Sequence, residues 1–152
     1  MKSYFSLFAI FLFILFSIPS VISDIKSYVV KPLSIYLGTA AIAVTCAFYC
    51  PSVFIPSIIS LAAFFLIFLV THFIVKDKLG FGDVKYSLLC GFASGHILWA
   101  LAGLGISCVL TLLAFLCLKI SGKSAVVKKL PFVPFLFAGI LIIMISRVVF
   151  GF

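Results

Sequence analysis

The chain is nearly empty of negative charge. Its 152 residues hold three acids, Asp24, Asp77 and Asp83, against eleven lysines and arginines, for a net charge of +8. With so few acids, each position can be weighed singly. Its five cysteines, Cys46, Cys50, Cys90, Cys108 and Cys117, contain no C-x-x-C pair and mostly sit in apolar runs. They read as small hydrophobes rather than metal ligands or redox pairs. Cys46 and Cys50 are one helical turn apart but lack further ligands nearby. No long polar linker, internal repeat or low-complexity tract divides the chain, which reads as one domain over 1–152.

What fills the sequence is hydrocarbon. Two thirds of the residues, 66%, are hydrophobic, against about 45–50% in soluble domains. They fall in runs close to the ~20 residues a membrane helix needs. The expectation is an all-α integral membrane bundle of six helices in contact with the lipid bilayer. The first run, Tyr4 to Ile22, exceeds a signal-peptide core and reads as a retained helix. A polar loop from Ser23 to Lys31 follows. Pro32 opens a second helix ending near Tyr49. Cys50-Pro51-Ser52 turns the chain into a third run, Val53 to Val75, with Pro56 in its first turn.

The second polar loop is Lys76 to Asp83. Val84 to Leu118 is too long for one span, at roughly 50 Å against a ~30 Å hydrocarbon core. Its glycines, with His96 and Trp99 as interfacial residues, place a turn near Ser94–His96 and make the fourth helix short. A lysine-rich loop, Lys119 to Lys129, leads to a last run opened by Pro131 and Pro134.

The cations sort by side. Lys26, Lys31, Lys76, Lys78, Lys85, Lys119, Lys123, Lys128 and Lys129 fall in loops one, three and five; only Lys2 and Arg147 fall elsewhere. Excess lysine marks the cytoplasmic face, so both termini are expected outside and the charged loops inside. An odd number of crossings between Lys85 and Lys119 would spoil this split. Topology thus accounts for the basic charge, and no nucleic-acid partner is expected. All three acids fall on the cytoplasmic side. Two crossings separate Asp24 from Asp83, so the chain returns to the same depth and the two carboxylates can meet.

An ionised carboxylate near hydrocarbon is costly and marks a candidate functional group. Two aspartates sharing a site cannot both ionise cheaply, so one holds a proton while the other is charged. The charged one can draw a proton from water as that water attacks a peptide carbonyl; the other can donate to the carbonyl oxygen. This aspartic-protease chemistry needs no metal or cofactor. Gly80 and Gly82, around Phe81, allow close approach of another chain. The bland alternatives are Asp83 as N-cap of the fourth helix and Asp24 as a loop acid balancing Lys26. Asp77, between Lys76 and Lys78, reads as a solvated charge. His72 and His96 read as structural or interfacial residues near opposite faces.

Three stretches resemble the type IV prepilin peptidases, membrane aspartic proteases with a G-x-G-D motif. Gly80-Phe81-Gly82-Asp83-Val84-Lys85 is similar to the family's G-x-G-D-V-K. Asp24-Ile25-Lys26 stands where the family has its first catalytic aspartate. Leu130-Pro131-Phe132-Val133-Pro134-Phe135-Leu136 is similar to its P-F-G-P-F-L stretch. The resemblance covers nearly the whole chain and implies Asp24 and Asp83 as the catalytic pair. Gly80, Gly82, Lys26 and Lys85 become candidates to contact substrate. It further implies prepilin or pseudopilin substrates, cut after a glycine at the cytoplasmic face of a bacterial inner membrane. Two departures stand out. Val29-Val30-Lys31-Pro32 displaces a proline of the family's first motif, and Val133 replaces a glycine. The family's N-terminal C-x-x-C domain is not seen, so peptidase activity without N-methylation is expected. The competing expectations are a non-catalytic helper of pilus or secretion assembly (a decayed peptidase) and a small transporter. A transporter would favour mid-membrane charges, for which Arg147 is the one clear candidate.

Overall fold

In a computed structural model, described here for residues 2–27, 30, 32–75, 79–120 and 131–150, the chain is an all-helical bundle. Six helices follow in order: α1 (Lys2–Ser27), α2 (Pro32–Tyr49), α3 (Pro51–Val75), α4 (Phe81–Ala93), α5 (Ile97–Ile120) and α6 (Val133–Phe150). Among the described residues there are no strands. Five helices are long and apolar enough to cross a membrane. The protein is therefore an all-α, multi-pass membrane bundle. The exception is α4. Its 13 residues reach about 20 Å, less than the ~30 Å hydrocarbon core, yet Gly95 just beyond it meets Val53 at the start of α3, so the chain still turns at the far end of the bundle.

The exposed surface carries large apolar side chains such as Phe11, Leu66, Leu112 and Phe150, the pattern of helices facing lipid. The interior is built around α4, whose residues from Asp83 to Ala93 are nearly all buried. Antiparallel α3 lies along one side of it, where Gly91 packs with no room for a side chain. An added Cβ would fall 2.9 Å from the Leu61 backbone. Ser60 of α3 and Ser94 meet at 3.1 Å between hydroxyls. Phe54 and Phe92 meet edge to face. On the other side, Phe16 of α1 and Leu89 of α4 close around Gly38 of α2.

The turn falls where the glycines and the length argument put it. α4 ends at Ala93, Ser94 caps it, and α5 starts at Ile97. Gly95 takes φ +73, a left-handed conformation that side chains rarely tolerate. The Arg147 guanidinium of α6 donates to the Ser94 carbonyl at 2.6 Å and stands 6.0 Å from the Trp99 ring. Arg147 is thus a cap on the negative end of α4, in the last turn of α6 rather than at mid-helix.

Several boundaries differ from those expected. The polar residues from Ser23 onward do not end α1, which continues to Ser27. Lys26 suits its last turn, and the Ser27 hydroxyl bonds back to the Ser23 carbonyl at 2.8 Å. Asp24 is therefore helical, not in a loop. α3 begins at Pro51, so Pro56 lies inside the helix, past its first turn. α4 begins at Phe81, two residues before Asp83, because Gly80 takes the cap position.

Candidate active site

Asp24 reaches the bundle interior because of helical spacing. On α1, Phe13, Ser17, Ser20 and Asp24 are all buried, at the three- and four-residue steps of one helix face. Asp24 is 6% exposed. Its Oδ2 accepts a hydrogen bond of 3.2 Å from the Val133 backbone N–H. Val133 is the first residue of α6, and its N–H has no partner inside its own helix. The positive end of α6 thus faces the carboxylate. Local sequence fixes that helix start. The Phe132 carbonyl takes bonds from the Phe135 and Leu136 N–H groups, and Pro134 sits in the first turn, where its lack of an N–H costs nothing.

Asp83 lies in the first turn of α4 and is 8% exposed. It is not the N-cap. Gly80 occupies that position with φ −64 and ψ 139 and no side-chain cap. The Asp83 N–H donates to the Gly80 carbonyl at 3.0 Å. The two carboxylates lie near enough to interact. Burial first, and the Asp24 charge second, push the Asp83 carboxyl up to about 7, while the Gly80 N–H pulls the other way.

The two motif glycines do different things. A Cβ on Gly82 would fall 2.6 Å from Val30 Cγ2, so Gly82 lets α4 start flush against the segment after α1. A Cβ on Gly80 would lie 3.3 Å from an Asp83 carboxylate oxygen. Lys26 is exposed in the last turn of α1. Lys85 holds its ammonium 5.2 Å from the Phe81 ring centre. Asp77 falls outside the described residues, as do Val29 and Lys31.

One contributor escaped the sequence, and a second was read there as structural or interfacial. The Val133 N–H is a backbone donor, and nothing in a side-chain pattern marks it. His72, at the end of α3, meets the Leu79 carbonyl through Nδ1 at 2.8 Å and packs edge-on against Phe81. It thereby steadies the backbone entering Gly80. His96 lies in the turn at the opposite end of α4. Among the described residues, no three His, Cys, Asp or Glu side chains gather as metal ligands.

The arrangement brings all three family-like stretches to one end of the bundle. Asp24 closes α1, Asp83 opens α4 and Val133 opens α6. No family model, curated protein or solved structure matches the chain, so the site is argued on its geometry and on the motif resemblance alone.

Proposed function

We propose that the chain is a membrane aspartic endopeptidase that removes leader peptides from type IV prepilin-like or pseudopilin substrates. The observation that carries this reading is the pairing of two nearly buried aspartates from α1 and α4 at one end of the bundle. Among the described residues no cation bridges the two, and a structural acid pair without one would be an expensive way to join two helices. As a shared-proton pair it has a use.

The roles follow from the surroundings. The Val133 N–H holds the Asp24 carboxylate in place, and Asp24 is assigned the part of base. Asp83, pushed up to about 7, is the proton donor. Asp24 takes a proton from water as its oxygen bonds to the scissile carbonyl carbon. Asp83 gives its proton to the carbonyl oxygen. As the tetrahedral intermediate breaks its C–N bond, Asp24 gives its proton to the leaving amine and a hydroxyl of the intermediate returns one to Asp83, so the pair regains its one-proton state. The titration belongs to the pair.

The excess of lysine in the loops at this end supports a cytoplasmic orientation, and prepilin-like substrates would imply a bacterial inner membrane. A substrate with a short leader and an apolar helix would present its junction at that depth.

The test is co-expression with a candidate prepilin, following leader removal by gel shift. Asp24→Asn and Asp83→Asn should each abolish cleavage, while Asp77→Asn should leave it intact. Normal cleavage by either member of the pair once substituted removes the dyad from the mechanism. No cleavage by the parent chain of any prepilin favours the helper role instead.

A further inference from the structure

Beneath the acid pair the bundle interior is polar where it should be dry. Ser17, Ser20 and Tyr86 are each 0% exposed. By hydrogen-bond geometry none of the three hydroxyls meets a well-formed partner, although those of Ser17 and Tyr86 face each other and the Cys90 thiol lies beside Tyr86. Other buried serines behave differently. Ser57, Ser87, Ser94 and Ser107 bond back to their own helices, and Ser60 pairs with Ser94. A buried hydroxyl left unpaired costs about 1–3 kcal/mol, and protein interiors relieve such groups with ordered water.

The Ser17 and Tyr86 hydroxyls face each other, and Ser20 lies on the same buried face of α1, one turn nearer Asp24. Ser20 and Ser17 stand one and two turns below Asp24 on the same buried face of α1, roughly 6 and 10 Å along the axis. Tyr86 is one turn below Asp83 on α4, and its hydroxyl has Ser17 and Cys90 as polar neighbours. Side chains on a helix lean toward its N-terminus, so the Asp24 carboxylate leans toward the turn of Ser20. The other buried residues that α2 and α6 turn inward, from Ile35 to Cys46 and from Val133 to Met144, add no charged group here.

We propose that Ser17, Ser20 and Tyr86 form an internal water site on the membrane side of the Asp24–Asp83 pair, and that water held there orients the two carboxylates. The three are positioning residues: they act on the acids through water and touch no substrate. Water at this site donates a hydrogen bond to the carboxylate from below, while the Val133 N–H donates at the α6 end. The open, aqueous side of the pair is left for the scissile peptide. The inference rests on the acid pair being the working site, but its test does not require turnover.

The test follows the protonated-carboxyl infrared band of the full chain in lipid during a pH titration, assigned to Asp83 by its loss in Asp83→Asn. The parent midpoint is expected at about 7. Ser20→Ala and Tyr86→Phe should raise it by about half to one pH unit, roughly a three- to tenfold change in proton affinity. Ser20→Thr, which keeps the hydroxyl, should restore it. Ser87→Ala, which removes an equally buried but self-bonded hydroxyl, should leave it in place. If Ser20→Ala does not fold, Ser17→Ala reads the same site. Unmoved midpoints in both the α1 alanine variant and Tyr86→Phe overturn the water site, even where both Asp→Asn variants are inactive. A shifted midpoint in a chain that cleaves no prepilin overturns the peptidase reading and leaves the water site standing.

Discussion

At the scale of the residue, the proposed chemistry turns on Asp83. Its ordinary carboxyl value of 3.8 is raised to about 7 by burial and by the Asp24 charge. Below that value Asp83 holds the proton the mechanism needs. Above it Asp83 gives up that proton and the donor is gone. Leader cleavage should therefore decline with an apparent midpoint near 7 as pH rises, measured as the initial rate in detergent or vesicles. The same shift acts on stability. The folded state holds this proton more tightly than the unfolded chain, so the contribution is full below 3.8 and is lost as pH climbs to about 7. Scarcity made Asp83 a candidate from sequence. Its partner's second contact, the Val133 N–H, was illegible because a backbone donor 109 positions away has no side-chain signature.

At the scale of the element, α4 is the unusual part. It is short, buried along most of its length, and it carries an acid at one end and an arginine contact at the other. The Arg147 bond to the Ser94 carbonyl closes the end far from Asp83. A hydrogen bond to a charged group contributes about 1.5–3 kcal/mol, so Arg147→Ala should lower stability by about 2 kcal/mol, read by thermal unfolding in detergent. Cleavage below the melting range should persist, because the acid pair is untouched. Sequence length and glycine placement located the turn at Ser94–His96. The same reasoning ended α1 too early, since a few polar residues do not stop a helix whose apolar face still has something to pack against. That error matters, for the last turn of α1 is what aims Asp24 inward.

At the scale of the whole molecule, orientation and assembly of the site are separate matters. The lysine split predicts that the Asp24–Asp83 end faces the cytoplasm. Single cysteines at Lys26 and Lys119, in a chain whose own five cysteines are replaced by alanine or serine, should resist an impermeant thiol reagent in intact cells. Both should react once the membrane is opened. Labelling of both in intact cells would invert the topology.

Hydrophobic runs of membrane length determined by themselves that the chain is a helical membrane bundle. In a bilayer the backbone must satisfy its own hydrogen bonds, which leaves those runs no alternative to helices. The scarcity of acids likewise singled out the residues to watch. Only the tertiary structure decided that α1 stays helical through Asp24, that the α6 N-terminus meets that carboxylate, and that Gly82 is filled by Val30. It also placed three hydroxyls without well-formed partners under the pair. These are contacts between helices distant in sequence, and they depend on which faces pack together, information no single apolar run contains.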